Sequence, residues 1–434
     1  MEEKEYILSE ANRCLQCPNP SCEKGCPLGN NIKKVIEYVK NEEFELAYKE
    51  ITKKNIMPEI CSRVCPHYEQ CEGNCILGKK GQPIRISKIE KYVSDLMIEK
   101  RNNLIRTVAD IKEDKVAVIG SGPSGIGCAY YLAKKGYDVT IFERESSFGG
   151  TLKYGIPNFR LGDKEIQTVL KKLIDLDVKF RFDTEFGDNV NINSLEKEGF
   201  KAIFLGIGLD KPKMLNVPGE DLLNVLDSAA FLYDVNTNYE EYVEFKNSRY
   251  RHKSFVIIGG GDVAMDCART AIRLGAKEVK VIYRRTEKEM PVSPIEYEHA
   301  INEGVEFEYL TLPVKILGEN KVEKVECVKM KLGDLDESGR PKPILVENSN
   351  FEINTNFVIT SLGNKLNQDR ITNKFGIEID EQTGLIKINE KMQTNIQYVF
   401  AGGDATNKVQ KVAYAEADGI KAGKEIEKYL LGDK

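Results

Sequence analysis

The 434-residue sequence contains no tryptophan and only three histidines, which are scattered, so a histidine-rich metal site is not expected. No apolar run approaches the roughly 18 residues that cross a bilayer. Positive charge is not in excess either: 63 basic residues against 68 acidic ones leave a net charge of −5. That balance gives no electrostatic reason to expect nucleic acid or an anionic membrane as partner. The opening stretch Met1 to Tyr6 lacks a basic segment followed by an apolar core, so no signal peptide is expected and the chain reads as cytoplasmic. What remains is the composition of a folded protein, 41% hydrophobic and 30% charged, on a chain long enough for two or three domains.

Cysteine is the residue in surplus. There are eleven, and eight of them fall between Cys14 and Cys75. Without an export signal, such density predicts bound metal rather than disulfides. The first group runs Cys14-x2-Cys17-x4-Cys22-x3-Cys26-Pro27, and the second runs Cys61-x3-Cys65-x5-Cys71-x3-Cys75. Thiolates suit zinc or iron–sulfur clusters. Zinc ribbons bring two CxxC pairs, whereas three close cysteines followed by a Cys-Pro that serves the other cluster is the ferredoxin habit. On that logic Cys14, Cys17 and Cys22 hold one cluster and take a fourth ligand from the second group. Cys26 crosses over to join Cys65 and Cys71, and spacing alone nominates Cys61 beside them.

Three zones follow along the chain. Helical patterning surrounds the cysteines, as in Ile32, Val35, Ile36 and Val39 and then Phe44, Leu46 and Ala47. After Ile111 a strand, Val116 to Ile119, runs into Gly120-Ser121-Gly122-Pro123-Ser124-Gly125 and a helix, and the strand Val139 to Phe142 follows. About 140 residues later the unit recurs. Phe255 to Ile258 leads into Gly259-Gly260-Gly261-Asp262-Val263-Ala264, the helix Met265 to Leu274, and the strand Val279 to Ile282. Two such units predict two dinucleotides. The polar, tyrosine-rich stretch Asn236 to Tyr250 reads as a crossing between domains. The strand Phe357 to Ile359 and the late Ala401-Gly402-Gly403-Asp404 read as a return to the first of them.

In the first unit Gly120 allows the tight turn, Gly122 lets the backbone approach a pyrophosphate, and Gly125 lets helix pack on strand. The helix N-terminus supplies N–H donors to the phosphates. Glu143, 23 residues after Gly120, suits a hydrogen bond to an unphosphorylated ribose. In the second unit Ala264 replaces the third glycine, and Tyr283-Arg284-Arg285 stands where an acid would. Two guanidinium groups pair with a 2′-phosphate that a carboxylate would repel. The first site therefore reads as FAD and the second as NADP(H). Gly206, after the strand Ala202 to Phe204, lines the crossing, and Asp404 is placed to reach the flavin ribityl chain.

With these residues in view, the chain resembles the small (β) subunit of NADPH-dependent glutamate synthase and its relatives. Those relatives include the large subunit of the electron-bifurcating ferredoxin:NADP transhydrogenase and the N-terminal half of dihydropyrimidine dehydrogenase. The resemblance rests on Arg13-Cys14-Leu15-Gln16-Cys17, Gly25-Cys26-Pro27, Arg63-Val64-Cys65-Pro66, Cys71-Glu72-Gly73-Asn74-Cys75, the run Gly149 to Pro157, and Tyr283-Arg284-Arg285 with Glu289-Met290-Pro291. It implies an α/β fold in which an α-helical iron–sulfur domain, 1–110, precedes two Rossmann-like domains. The FAD domain would comprise 111–235 and 355–434, and the NADP(H) domain 236–354. It also implies one 4Fe-4S cluster on Cys14, Cys17, Cys22 and Cys75, and another on Cys26, Cys65, Cys71 and Glu90, with Cys61 the alternative fourth ligand. Further FAD contacts are expected from Pro123, Ser124, Arg144, Gly150, Thr151, Leu152, Gly155, Ile156, Arg160 and Gly403, and a nicotinamide-side contact from Gly363.

The tail Asp404 to Lys411 departs from the family and is closer to the flavin tail of thioredoxin reductases, with Lys411 expected to alter the flavin's electrostatics. No CxxC pair lies in the dinucleotide regions, which disfavours thioredoxin-reductase chemistry itself. The implied function is electron flow from NADPH through FAD and the clusters to a partner, in a hetero-oligomer. With no N-terminal cysteine nucleophile after Met1, a separate large flavoprotein subunit would be needed to make glutamate from glutamine and 2-oxoglutarate. The alternatives are the bifurcating transhydrogenase subunit, with a ferredoxin-type acceptor, towards which Gly78 to Pro83 leans, and a metal-stabilised docking module.

Overall fold

The computed structural model describes residues 2–100, 110–244, 246–336 and 339–432. The boundary expected near residue 110 adjoins the segment 101–109, which lies outside the described residues. The chain folds as two compact units: Met1–Lys153, Asn158–Asp210 and Leu366–Lys434 form one, and Tyr154–Pro157 with Lys211–Lys365 form the other.

The first unit begins with helices. In Ile32–Lys40 the buried residues Ile32, Val35, Ile36 and Val39 recur three and four apart, one stripe of a helix. Asn31 caps it by accepting the Lys34 N–H at 3.4 Å. The next helix, Phe44–Ile51, buries Phe44, Ala47, Tyr48 and Ile51. Leu46 is exposed instead of joining them, because a residue two positions out of phase points off that face. These helices share a core with Ile7, Ile84, Ile89, Val93 and Met97, and Cys14, Cys22, Cys26 and Cys75 pack half-buried against it.

A five-stranded parallel sheet completes this unit, in the order Val399–Ala401, Phe200–Leu205, Lys115–Ile119, Asp138–Phe142, Lys179–Arg181. Every residue of Lys115–Ile119 after the first is buried, the continuous apolar run of a strand covered on both faces. The strand order reverses at Lys115–Ile119, with Ile119 opposite Leu205. A crevice therefore opens at the carboxyl ends of those two strands. Across it the C-terminal helix Val412–Leu430 lies on the helix Pro123–Lys134. Their backbones nearly touch: a Cβ on Gly419 would sit 1.9 Å from the Ser124 carbonyl oxygen, and one on Gly127 would sit 2.6 Å from that of Glu416.

The second unit repeats the plan. Its parallel sheet runs Val225–Asp227, Phe357–Thr360, Ser254–Ile258, Glu278–Tyr283, Glu306–Tyr309. An antiparallel sheet of Thr311–Leu317, Lys324–Leu335, Pro341–Leu345 and Phe351–Asn354 is inserted before Phe357–Thr360. The change between units falls after Asp210 and Lys365 rather than near residues 235 and 354. The cause is pairing: Val225–Asp227 lies beside Phe357–Thr360, so 211–235 folds with the second unit. Nor is Asn236 to Tyr250 a crossing. Tyr250 is fully buried against Phe231, Phe255 and Phe357, and its hydroxyl donates to Asp234 at 2.6 Å. Tyr250 is a core ring with one polar end, and Tyr242 packs half-buried against the same core.

Overpacking a helix contact this close costs about 1–3 kcal/mol. Gly419→Ala should therefore lower the urea midpoint of the purified protein, whereas Gly81→Ala, exposed and with its nearest neighbour at 3.9 Å, should leave it nearly unchanged.

Candidate functional site

The cysteines sort into two constellations. Cys14, Cys17, Cys22 and Cys75 line one pocket of about 550 Å³, mouth included, together with Ile32, Ile36, Ile84 and Ile86. Residues far apart in sequence meet there because the helices carrying the isoleucines form its floor. Burial, reinforced by Cys75, raises the Cys22 thiol to about 11. The Gln16 amide donates to Cys14 Sγ at 3.7 Å. Among the described residues no three His, Cys, Asp or Glu side chains converge on a single-ion position. Four thiols around one pocket are a donor set that fits an iron–sulfur cluster.

The second constellation is more deeply buried. Cys26 is raised to about 11, chiefly by burial and further by Glu90 and Cys65. Burial, then Glu90, Cys26 and Cys65, pushes Cys71 well above the ordinary thiol value. Cys26 and Cys71 each lie near both Glu90 and Cys65. Glu90, on the helix Ile86–Glu99, accepts from Asn55 Nδ2 at 2.9 Å, and burial raises its carboxyl to about 8. Cys61 stands alongside: its thiol contacts Cys65 and donates to Glu416 Oε2 at 3.5 Å. Buried thiols become thiolates when a bound metal centre supplies positive charge, so the donor set fits a metal centre.

At the crevice of the first unit, Gly125 lies so close to the strand that a Cβ would sit 1.9 Å from the Gly120 carbonyl oxygen. A Cβ on Gly122 would meet nothing within 4 Å, so this backbone faces open space where a phosphate can approach. Gly122 caps the helix Pro123–Lys134 without a side-chain hydrogen bond, which leaves the first-turn N–H groups for an anion. The buried Glu143 accepts from Ser121 N at 2.8 Å and Ser121 Oγ at 2.6 Å through one oxygen, and from Glu145 N at 3.0 Å through the other. A carboxylate has about four acceptor positions, so one remains for a ribose hydroxyl. Ser121 also accepts from Gly149 N at 2.9 Å, tying the run through Gly150, Thr151 and Leu152 to the crevice.

The other sequence-nominated residues are distributed as follows. Gly206 N donates to the Ile119 carbonyl at 2.8 Å, at the crevice floor. Gly403 N donates to Asp418 at 3.2 Å, and burial with Asp418 alongside lifts Asp404 to about 6. Leu152 is buried, Thr151 and Arg144 are exposed, and Arg144 pairs with Glu145 at 3.2 Å. Arg160 is half-buried, and Lys411 precedes the C-terminal helix at its N-cap. Gly155 and Ile156 belong to the stretch 154–157 of the second unit.

The second unit holds Gly259, Gly260, Gly261, Asp262, Val263, Ala264, Arg284, Arg285 and Gly363. Gly261 caps the helix Asp262–Arg273 without a side-chain bond, again leaving first-turn donors. Ala264 is buried where the third glycine would be, Val263 is exposed, and Asp262 accepts from Ser293 N at 2.7 Å. Gly363 follows Phe357–Thr360 and borders open space. The arginine pair divides. Arg284 is exposed, whereas Arg285 is 2% exposed, ion-paired to Asp336 at 2.6 Å and bonded to the Pro341 carbonyl at 2.8 Å. Arg285 secures the antiparallel hairpin, and Arg284 is the guanidinium left for an anionic ligand.

Sequence reading missed Ser121, Asn55, Asp336, Asp418 and Glu416. Ser121 sits inside the glycine motif and could have been found as a small polar residue between two glycines. Asp336 and Glu416 act 51 and 355 residues from their partners, Arg285 and Cys61, and no local pattern announces them.

Residues 114–419 match the family model of pyridine nucleotide-disulphide oxidoreductases, and residues 1–102 match dihydropyrimidine dehydrogenase domain II, 4Fe-4S cluster. The glutamate synthase (NADPH) small chain of Halomonas elongata is 35% identical, over 97% of this chain and 90% of that one. The corresponding chain of Azospirillum brasilense is 34% identical, over 98% and 89%. In fold, FprA of Mycobacterium tuberculosis, solved in complex with NADPH, aligns with a TM-score of 0.61 at 20% identity, over 74% of this chain and 85% of that one.

Ser121 is fully buried and engaged as donor and acceptor. Ser121→Ala leaves Glu143 and Gly149 short of partners, so unfolding measured in urea should be easier by about 1–3 kcal/mol.

Proposed function

Because the chain belongs to the glutamate synthase small-chain family of pyridine nucleotide-disulphide oxidoreductases, we propose that it delivers electrons from NADPH, by way of FAD and two 4Fe-4S clusters, to a separate large subunit. It is an NADPH-dependent FAD and iron–sulfur oxidoreductase. The observation that carries the finer reading is the sorting of the cysteines. Cys14, Cys17, Cys22 and Cys75 share one pocket, while Cys26, Cys65, Cys71 and Glu90 form another group, within the same compact unit as the Gly120–Gly125 crevice.

FAD, when bound, would supply the change from a two-electron hydride donor to one-electron clusters. The chain's residues bind and orient. In this reading Gly120, Gly122, Gly125 and the first turn of Pro123–Lys134 hold the FAD pyrophosphate, and Glu143 takes a ribose hydroxyl. Gly206, Gly403 and Asp404 border the flavin, with Arg144, Gly150, Thr151, Leu152 and Arg160 completing the cradle. The turn Gly259–Ala264 holds the NADPH pyrophosphate, and Arg284 selects the 2′-phosphate. Arg285 supports that site by holding the hairpin that carries Asp336. The large subunit, in turn, would use the electrons to make glutamate from glutamine and 2-oxoglutarate.

Protein purified without oxygen should contain iron and acid-labile sulfide, and NADPH should bleach its flavin absorbance. Zinc in place of iron, or bleaching by NADH alone, would refute the assignment. Arg284→Ala should raise the KM for NADPH about tenfold or more with little effect on NADH. Equal losses for both would remove its role in selection. Cys75→Ser should cost roughly half the iron, whereas Cys61→Ser should retain nearly all of it.

A further inference from the structure

The helix Pro58–Val64 ends at Cys65, and three side chains from the flavin-binding part of the same unit fasten it. Lys172, on the helix Asp163–Ile174, reaches both carboxylate oxygens of Glu59 at 2.8 Å and the Ile56 carbonyl at 3.0 Å. Glu59 is completely buried, accepts the Tyr48 hydroxyl at 2.5 Å, and lies with Lys172 beside the Tyr48 ring. Arg63 binds Glu165 of that same helix at 2.9 Å and Asp95 of the Glu90-bearing helix at 2.6 Å. Glu416 accepts from Ile56 N at 2.7 Å and from Cys61 Sγ. Glu416 sits one turn before Gly419, where its helix meets the backbone of Ser124 in the proposed FAD cradle.

We infer that Lys172–Glu59, Arg63–Glu165 and Glu416 form a clamp that sets the distance between the inner thiol constellation and the flavin crevice, with Lys172 and Glu59 as positioning residues for electron transfer between them. The inference rests on the functional reading above. Two physical arguments support it. Electron tunnelling falls exponentially with separation, so a site of this kind needs one fixed spacing. A buried ion pair is an inefficient source of stability, since apolar groups of similar size often replace it at no loss. What the pair supplies that Leu and Met cannot is register: both oxygens of Glu59 face one ammonium, whereas an apolar contact can slide.

The test is the double variant Glu59→Leu/Lys172→Met in the full-length, cluster-loaded protein. It should keep its iron content and the wild-type rate of flavin reduction by NADPH and, with the Tyr48 hydroxyl left without its acceptor, should melt only slightly lower. Cluster reduction after flavin reduction should slow about fivefold or more. Amide hydrogen exchange across Ile56–Cys65 should rise by about the same factor. Lys172→Arg alone, which keeps a cation opposite Glu59, should leave both near the wild-type values. Wild-type values for both readouts in the folded double variant would overturn the clamp. Should that variant lose iron or melt early, Glu165→Gln, which removes one arm only, decides by the same two readouts. Hydrogen exchange needs no electron donor, so the clamp can fail or stand even where NADPH reduces no flavin, an outcome that would sink the functional reading instead.

Discussion

The architecture depends on a backbone contact between the helices Val412–Leu430 and Pro123–Lys134, made where Gly419 and Gly127 have no side chains. Glycine in a helix interior is unfavourable by up to about 1 kcal/mol relative to alanine. Here it permits an approach that no other residue would. The consequence extends past the pair. Ser124 begins the phosphate-facing turn, and Glu416 lies one turn from Gly419, so the same contact sets the height at which a buried carboxylate meets the cysteine-bearing segment.

Much of this arrangement was readable from spacing. The glycine motifs and the strand–turn–helix units are local patterns, because backbone conformation acts over short stretches. The grouping of Cys75 with Cys14, Cys17 and Cys22 is made by the fold, and spacing did not name it. Helix edges were read less well. The helix after Gly259–Gly261 starts at Asp262, not Met265, since the cap lies in the glycine turn rather than in the apolar stripe. Tyr250 was misread for a related reason. An isolated tyrosine looks polar in sequence, and only the tertiary surroundings of Phe231 and Phe357 make it core.

Charged side chains were the least legible. Arg284 and Arg285 are adjacent and chemically identical, yet the bend that follows the strand Glu278–Tyr283 gives them opposite surroundings. One emerges into solvent and the other is drawn under the hairpin to Asp336. A dipeptide motif therefore names a site without telling which of its members serves it. Glu59 and Lys172 show the same limit over 113 residues: in sequence each is one charge among 131, and burial alone gives the pair its significance.

Carboxyl groups around the inner thiols make the final point. Glu90 and Glu416 are both lifted to about 8 by burial, and each has a neutral hydrogen-bond donor, Asn55 for one and the Ile56 amide for the other. Until a metal centre supplies positive charge, the region around Cys26, Cys65 and Cys71 has little capacity for negative charge, so amide donors answer its buried acids. A bound cluster would let Glu90 ionise and ligate. Lys172 and Arg63 answer Glu59 and Glu165 at its margin. The charges that align the helix thus stand beside the thiol group rather than within it, and the interior keeps the low polarity that a buried redox centre requires.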